Sequence, residues 1–438
     1  MKRNSLIRQT LFLSGSHFAV RAVGFVMRIW LSRELGAAAM GLVELAHSAQ
    51  MLLITPVVSG LPAAVSRLSA QASGQSGRQS RVLRCGVLLA LMASMPLCIA
   101  AFLLREPLAV WLGDIRTLPA LLIYLPCIPI LGVSCALNGH YYGTGHPVPP
   151  AVSEMLEQAV RFILSIRLVA LLRDWPMTLR AAVPAAAALA GETIGLFFML
   201  ILCAPALFII KGDGSYRAIL KEMLQLALPL TGMRIVSSLM RTANATLIPA
   251  RLQTAGLPKT EALGQLGMLN GMLMPMLLLP SFITCSLCMV ASPELTRRQS
   301  QCKPIAALCR KMLLAALGIG LAAMVCVLAL APLISGRLYR QADLLPLLRI
   351  CSPLIPFFSL SQVTGGMMNG LGLQGEALRI SLFSSLISVL LTYVLAAQPS
   401  LRLYGAAAAL AASLLITLIL SLKTLKQTIS LHEGYTAR

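Results

Sequence analysis

Seven arginines, Arg21, Arg28, Arg161, Arg167, Arg234, Arg241 and Arg349, fall inside stretches apolar enough to cross a bilayer. A guanidinium there costs about 2.5–3.5 kcal/mol at the helix centre even on the lenient scale. Arg21 and Arg28 stand seven residues apart, which puts them on one helical stripe two turns apart. Arg234 and Arg241 repeat that spacing. Guanidinium keeps its charge and grips a phosphate through two parallel hydrogen bonds. If the segments face each other, four guanidinium groups line one seam in two tiers, suited to an anionic phosphate headgroup. The alternative is that Arg28 and Arg241 snorkel to the surface while Arg21 and Arg234 pair with local acids.

The acids are few, and five glutamates lie in or at the edge of apolar stretches: Glu44, Glu154, Glu157, Glu192 and Glu222. Glu157 precedes Arg161 by four residues, the favourable order for an intrahelical ion pair, and Glu154 shares that face. Glu44 and His47, three apart, would relay or bind a coupling ion, or else sit as hydrogen-bonded core. Prolines break the backbone ladder within the apolar stretches. The pairs Pro126/Pro129 and Pro353/Pro356 predict helix breaks lining a translocation path, or bends that merely pack well. Eleven cysteines are scattered, Cys302 among them. The close pair Cys285 and Cys288 has no second pair or nearby histidine, so no metal is expected. The chain has no phosphate-binding Gly-x-x-x-x-Gly-Lys-Ser/Thr loop, no His-Glu-x-x-His and no Gly-x-Ser-x-Gly. Nor does it have an aspartate pair to hold Mg²⁺. A transporter without cofactor, not an enzyme, is the expectation.

The elements that position these residues follow from composition. Of the 438 residues, 57% are hydrophobic and 12% charged, and mean hydropathy is +0.81. A soluble chain would carry about 25% charged residues. A soluble enzyme, a secreted disulfide domain and a disordered chain are excluded. The apolar runs do not alternate with period two, which excludes an outer-membrane barrel. Each span needs about 20 apolar residues. Twelve are predicted: 10–31, 40–65, 83–104, 118–138, 151–172 and 181–202, then 222–246, 264–291, 312–330, 345–369, 380–396 and 404–422.

The net charge of +21 resides mostly in short connections, so a nucleic-acid partner is not expected. Nineteen of the 36 basic residues lie on the side of the N-terminus and ten on the other. That places both termini in the cytoplasm.

The chain also repeats itself. Arg21-x-Val23-x-x-x-Met27-Arg28 matches Arg234-x-Val236-x-x-x-Met240-Arg241. Pro126-Cys-Ile-Pro129 matches Pro353-Leu-Ile-Pro356, and Asn138-Gly139 matches Asn369-Gly370. The offsets, 213, 227 and 231, rise along the chain as a duplication with small insertions would give. Six spans per half keep the halves in one orientation, so the repeat is parallel. The expected fold is an all-α polytopic membrane protein with about 12 transmembrane helices. Its lobes, 1–210 and 211–438, form two six-helix bundles around a central cavity.

Two stretches carry a family resemblance. One is Arg33-Glu-Leu35-Gly36-Ala37-x-x-x-Gly41-Leu42 followed by Gly60-Leu-Pro62-Ala-Ala-Val65-Ser66-Arg67. The other is Asn138-Gly139-His-Tyr-Tyr-Gly143-x-Gly145-x-Pro147 followed by Pro150-Ala151-Val152-Ser153-Glu154-x-x-Glu157-Gln158-x-x-Arg161. They resemble the stage V sporulation protein B-like, polysaccharide biosynthesis flippases of the multidrug/oligosaccharidyl-lipid/polysaccharide flippase superfamily. The resemblance implies alternating access of a cavity and an undecaprenyl-pyrophosphate-linked glycan as cargo. The expected function is therefore to flip such a glycan or peptidoglycan precursor across the bacterial cytoplasmic membrane, for spore cortex or cell-wall polysaccharide. Its partners would be that lipid, the bilayer and cell-wall synthesis enzymes. Arg21, Arg28, Arg234 and Arg241 would hold the pyrophosphate, and Glu44, His47, Glu154, Glu157 and Arg161 would serve coupling or line the cavity. The rivals are a cation-coupled multidrug exporter, which needs acids as the dominant cavity charge, and a non-transporting scaffold for cell-wall assembly.

Overall fold

The structure, a computed structural model, describes residues 2–208, 215–301 and 303–436. Cys302 and the lobe boundary at 210/211 lie outside the described residues. No strand occurs among the described residues. The long helices are α1 (Lys2–Leu35), α2 (Ala37–Gln71), α3 (Ser76–Leu103), α4 (Ile115–Gly143), α5 (Val148–Leu171) and α6 (Val183–Phe208). Then come α7 (Tyr216–Thr254), α8 (Lys259–Leu277 and Ser281–Ser300), α9 (Ala306–Leu333), α10 (Leu344–Gly370), α11 (Gln374–Leu395) and α12 (Leu403–Thr436).

Nine of these are long and apolar enough to cross a membrane, and α8 is a tenth if its two pieces, bent by 52°, form one span. α1 and α5 are not among these ten. They are the helices that carry Arg21 and Arg28, and Glu154, Glu157, Arg161 and Arg167. With α1 and α5 the long helices number twelve among the described residues, and the chain is an all-α polytopic membrane protein.

The chain divides into two compact units. The first comprises Met1–Met27 and Leu42–Thr242. Its core joins Leu61, Val65 and Leu68 of α2 to Leu83 of α3, Leu137 of α4 and Met199 of α6. Ile219, Met223 and Ala227 of α7 complete it. The leading two thirds of α7, up to Thr242, thus belong to the first unit by packing, although the repeat assigns them to the second half of the chain. A Thr242 hydroxyl, donating to the Ser48 carbonyl at 2.9 Å, fastens α7 to α2.

The second unit comprises Arg28–Gly41 and Ala243–Arg438. Here the trailing end of α1 lies on α8, where Gly267–Leu273 winds as a π-helix. Such a turn takes the backbone out of α register. Arg28 Nη2 donates to the Asn270 carbonyl at 3.0 Å, and Ser32 Oγ to that of Gly271 at 3.3 Å. Cβ atoms at Gly267 or Gly41 would fall on the Ala37 and Leu263 carbonyls, so glycine is what permits this approach.

Lipid tails are as apolar as leucine, so helices within a bilayer associate by close packing rather than by escaping water. Gly139-x-x-x-Gly143 on α4 lays its bare turns on Pro62 and Ser66 of α2. Gly366-x-x-x-Gly370 on α10 does the same against Cys288 and Ser292 of α8. There the donors climb one turn at a time. Cys288 Sγ donates to Gln362 O at 3.9 Å, Ser292 Oγ to Gly366 O at 3.0 Å and Thr296 Oγ1 to Gly370 O at 2.6 Å.

These contacts fix the register of the duplication. Gly139 corresponds to Gly366 and Gly143 to Gly370, an offset of 227 shared with the proline pairs. The Asn-Gly match at offset 231 is therefore displaced by one turn. It aligned identical letters, whereas the packed faces align glycines.

Adding a single methyl group at this contact tests the packing. Gly143→Ala is expected to lower the melting temperature in detergent, with an overpacking cost of about 1–3 kcal/mol. Gly318→Ala on α9, with nothing within 4 Å of its Cβ position, should leave it unchanged or raise it. Equal melting temperatures for both variants would show that α4 does not pack through Gly143.

Candidate functional site

Each proline pair sits at an interruption. α4 is two pieces, Leu118–Tyr124 and Cys127–Gly143, separated at Leu125 and Pro126. α10 is Leu344–Cys351, a 3₁₀ turn Ser352–Leu354 holding Pro353, and Ile355–Gly370. Pro129 and Pro356 lie in the first turn of the second piece, where no intrahelical partner exists for the missing N–H. The breaks thus recur at matched positions in the two halves.

In the first unit, α5 carries the in-span charges toward α1 and α6. Glu154 Oε2 meets His17 Nδ1 of α1 at 2.9 Å. Glu157 accepts from Ser153 Oγ at 2.9 Å. Arg161 Nη2 donates to Glu192 Oε1 of α6 at 2.8 Å.

The Glu157–Arg161 pair read from sequence is therefore not the one formed: Arg161 turns to a carboxylate on another helix. The reason is steric. Gly191 and Gly195 flank Glu192 on α6. A Cβ at Gly191 would stand 2.7 Å from the Glu157 carbonyl, and one at Gly195 would strike the Glu157 carboxylate. These two bare turns let α5 and α6 close on each other and leave Glu157 a niche of its own.

Glu44 and His47 are half-buried on α2, and His47 Nδ1 lies 3.3 Å from Gln50 Oε1. The partners that α5 draws in are others: His17 of α1 and Glu192 of α6.

The four stripe arginines divide differently from the repeat. Arg21, Arg234 and Arg241 belong to the first unit and Arg28 to the second. Arg28 is half-buried and anchored on the Asn270 carbonyl. Arg21, Arg234 and Arg241 are exposed. Among the described residues none of these three meets a carboxylate. Arg234 and Arg241 stand two turns apart on α7. The alternative in which Arg21 and Arg234 pair with local acids is not what is found.

His17 and the Gly191/Gly195 pair were not singled out from sequence. A Gly-x-x-x-Gly spacing on an apolar helix was the signal for the second. Nothing local marks His17, whose partner lies more than a hundred residues away.

Comparison with known proteins agrees with this architecture. Residues 6–299, about two thirds of the chain, match the family described as Polysaccharide biosynthesis protein. The chain is 27% identical to Stage V sporulation protein B of Bacillus subtilis (strain 168), over 98% of this chain and 85% of that protein. The fold is similar to the inward-facing conformation of a multidrug resistance MATE family transporter of the MOP superfamily. The TM-score is 0.78 at 17% identity, covering 94% of this chain and 95% of that one. It is also similar to a MOP superfamily transporter from Pyrococcus furiosus described by the reverse polarity of its binding pocket. There the TM-score is 0.67 at 16% identity, covering 97% and 96%. Twelve long helices, matched proline breaks and a match spanning most of the chain lead to one assignment: the chain belongs to the polysaccharide biosynthesis protein family.

Proposed function

We propose that this protein is a flippase that carries an undecaprenyl-pyrophosphate-linked glycan or peptidoglycan precursor from the inner to the outer leaflet of the bacterial cytoplasmic membrane, with both termini cytoplasmic. The observation that carries the reading is the state of Arg21, Arg234 and Arg241. They are three exposed guanidinium groups on spanning helices, with no carboxylate partner among the described residues. An uncompensated cation at that depth is costly and needs an anion to hold. A pyrophosphate supplies two adjacent phosphates to a pair of arginines two turns apart. Membership of the polysaccharide biosynthesis family supports a glycan as the rest of the headgroup, and likeness to a sporulation protein supports cell-wall or spore-cortex polysaccharide as its destination.

The same observation weighs against drug export as the leading activity, since an exporter of cations needs carboxylates where the cargo sits. The reverse polarity described for the Pyrococcus furiosus transporter illustrates that pocket charge is not fixed by this fold. Three of the five span glutamates, Glu154, Glu157 and Glu192, gather on α5 and α6, and a coupling role suits them better than cargo binding.

Depletion of the protein tests the proposal. Lipid-linked precursors should accumulate in the inner leaflet, read by leaflet-selective labelling of extracted vesicles. An unchanged distribution of every polyisoprenoid-linked glycan would refute it.

A further inference from the structure

A groove runs between α1 and α5 within the first unit. It is a cavity of about 520 Å³ lined by Ala22, Val23 and Val26 of α1 and by Met155, Ala159 and Phe162 of α5. Val23, Val26 and Met155 are exposed at its walls. One lining residue does not fit an apolar slot. Gln158 is only 8% exposed, and its Nε2 has no hydrogen-bond partner among the described residues. A buried amide left unsatisfied costs about 1–3 kcal/mol. The amide packs against α1 beside Gly24, where a Cβ would stand 3.4 Å from that nitrogen, an ordinary contact.

Depth decides what could satisfy the amide. Gln158 lies ten residues beyond Val148, the first residue of α5, or about 15 Å at 1.5 Å per residue. That is roughly half of a 30 Å hydrocarbon layer. The ester and phosphate oxygens of a resident phospholipid stay at the interface. A lipid in transit brings an acceptor oxygen to mid-depth. Gln158 also follows Glu157 directly and precedes Arg161 by three residues, so it borders the charged side of α5 as well as the groove.

We propose that the α1–α5 groove is the track of the cargo's polyisoprenoid tail, and that Gln158 donates to the phosphate-ester oxygen as that linkage crosses mid-membrane. This inference rests on the flippase reading and adds where the tail travels.

The test uses the purified full chain in phospholipid nanodiscs with a polyprenyl phosphate bearing a diazirine on its tail. Photo-adducts should map to peptides containing Ala19–Val26 and Met155–Ile163. Excess unlabelled undecaprenyl phosphate should displace them, and excess dioleoylphosphatidylglycerol should not. Ala22→Trp and Ala159→Trp, made separately to fill the groove from either wall, should each lower the yield at least about tenfold. Gln158→Leu should keep the adduct but slow leaflet transfer in vesicles by roughly tenfold or more, the loss of one hydrogen bond to a charged group.

Adducts elsewhere, or equal displacement by the phospholipid, would reduce the groove to a seat for ordinary membrane lipid and overturn the proposal. Leaflet transfer without groove adducts would fault the groove alone. Groove adducts in a chain that transfers nothing would support the groove and fault the flippase reading.

Discussion

Alanine at Arg21 or Arg234 is expected to abolish precursor flipping while leaving the protein folded. The two halves of that expectation come from one observation. Each side chain is exposed on its unit and meets no carboxylate among the described residues. Removing it breaks no ion pair and relieves the cost of a cation in the bilayer, about 2.5–3.5 kcal/mol at most. The melting temperature should therefore hold or rise. Activity should fall by roughly a hundredfold or more, because two charge-assisted hydrogen bonds of about 1.5–3 kcal/mol each leave the cargo. Lysine keeps the charge and loses the planar fork, so it should restore only part of the activity. Glu44→Gln, made beside them, should spare flipping, whereas a cation-coupled exporter would fail there and tolerate both arginine changes. Arg28 is a poorer probe, since its bond to the Asn270 carbonyl gives it a structural part as well. Full activity in both Arg21→Ala and Arg234→Ala would remove the phosphate-binding assignment, whatever the fold.

Which features could be read from sequence follows from the range of the physics behind each. Spans are legible because lipid requires about 20 apolar residues in a row. α1 and α5 are legible in the same way, although charges interrupt both. The interruptions in α4 and α10 are legible because proline acts on its own backbone. Partnerships are not. Glu157 to Arg161 is the favourable local spacing, yet the partner of Arg161 is Glu192 on the next long helix, brought near by Gly191 and Gly195. His17 and Glu154 meet across more than a hundred residues. The π-helix at Gly267–Leu273 has no local signature, because what occupies its neighbourhood is the far end of α1. The extents of the units obey the same rule: duplication divides the sequence near residue 210, while packing assigns the leading two thirds of α7 to the first unit and the trailing end of α1 to the second.

Breaking the Arg161–Glu192 pair from one side should destabilise the protein more than any other change considered. The two groups meet at 2.8 Å with side chains 27% and 12% exposed, so neither has much water to fall back on. Glu192→Leu strands the guanidinium, and Arg161→Leu strands the carboxylate. Each should cost about 3–5 kcal/mol, as an orphaned buried charge usually does. The double variant removes both charges and fills the space with apolar side chains, and should recover most of that loss, since a buried pair seldom outperforms a packed apolar replacement. Thermal unfolding of the three variants in one detergent measures the coupling directly. Flipping by the double variant then separates structure from mechanism. If it folds and flips, the pair only holds α5 to α6. If it folds and does not flip, the charges themselves serve transport, and the cluster around Glu154, Glu157 and His17 becomes the place to look for a coupling ion. Additive losses in the double variant would show that the two residues are not a pair at all.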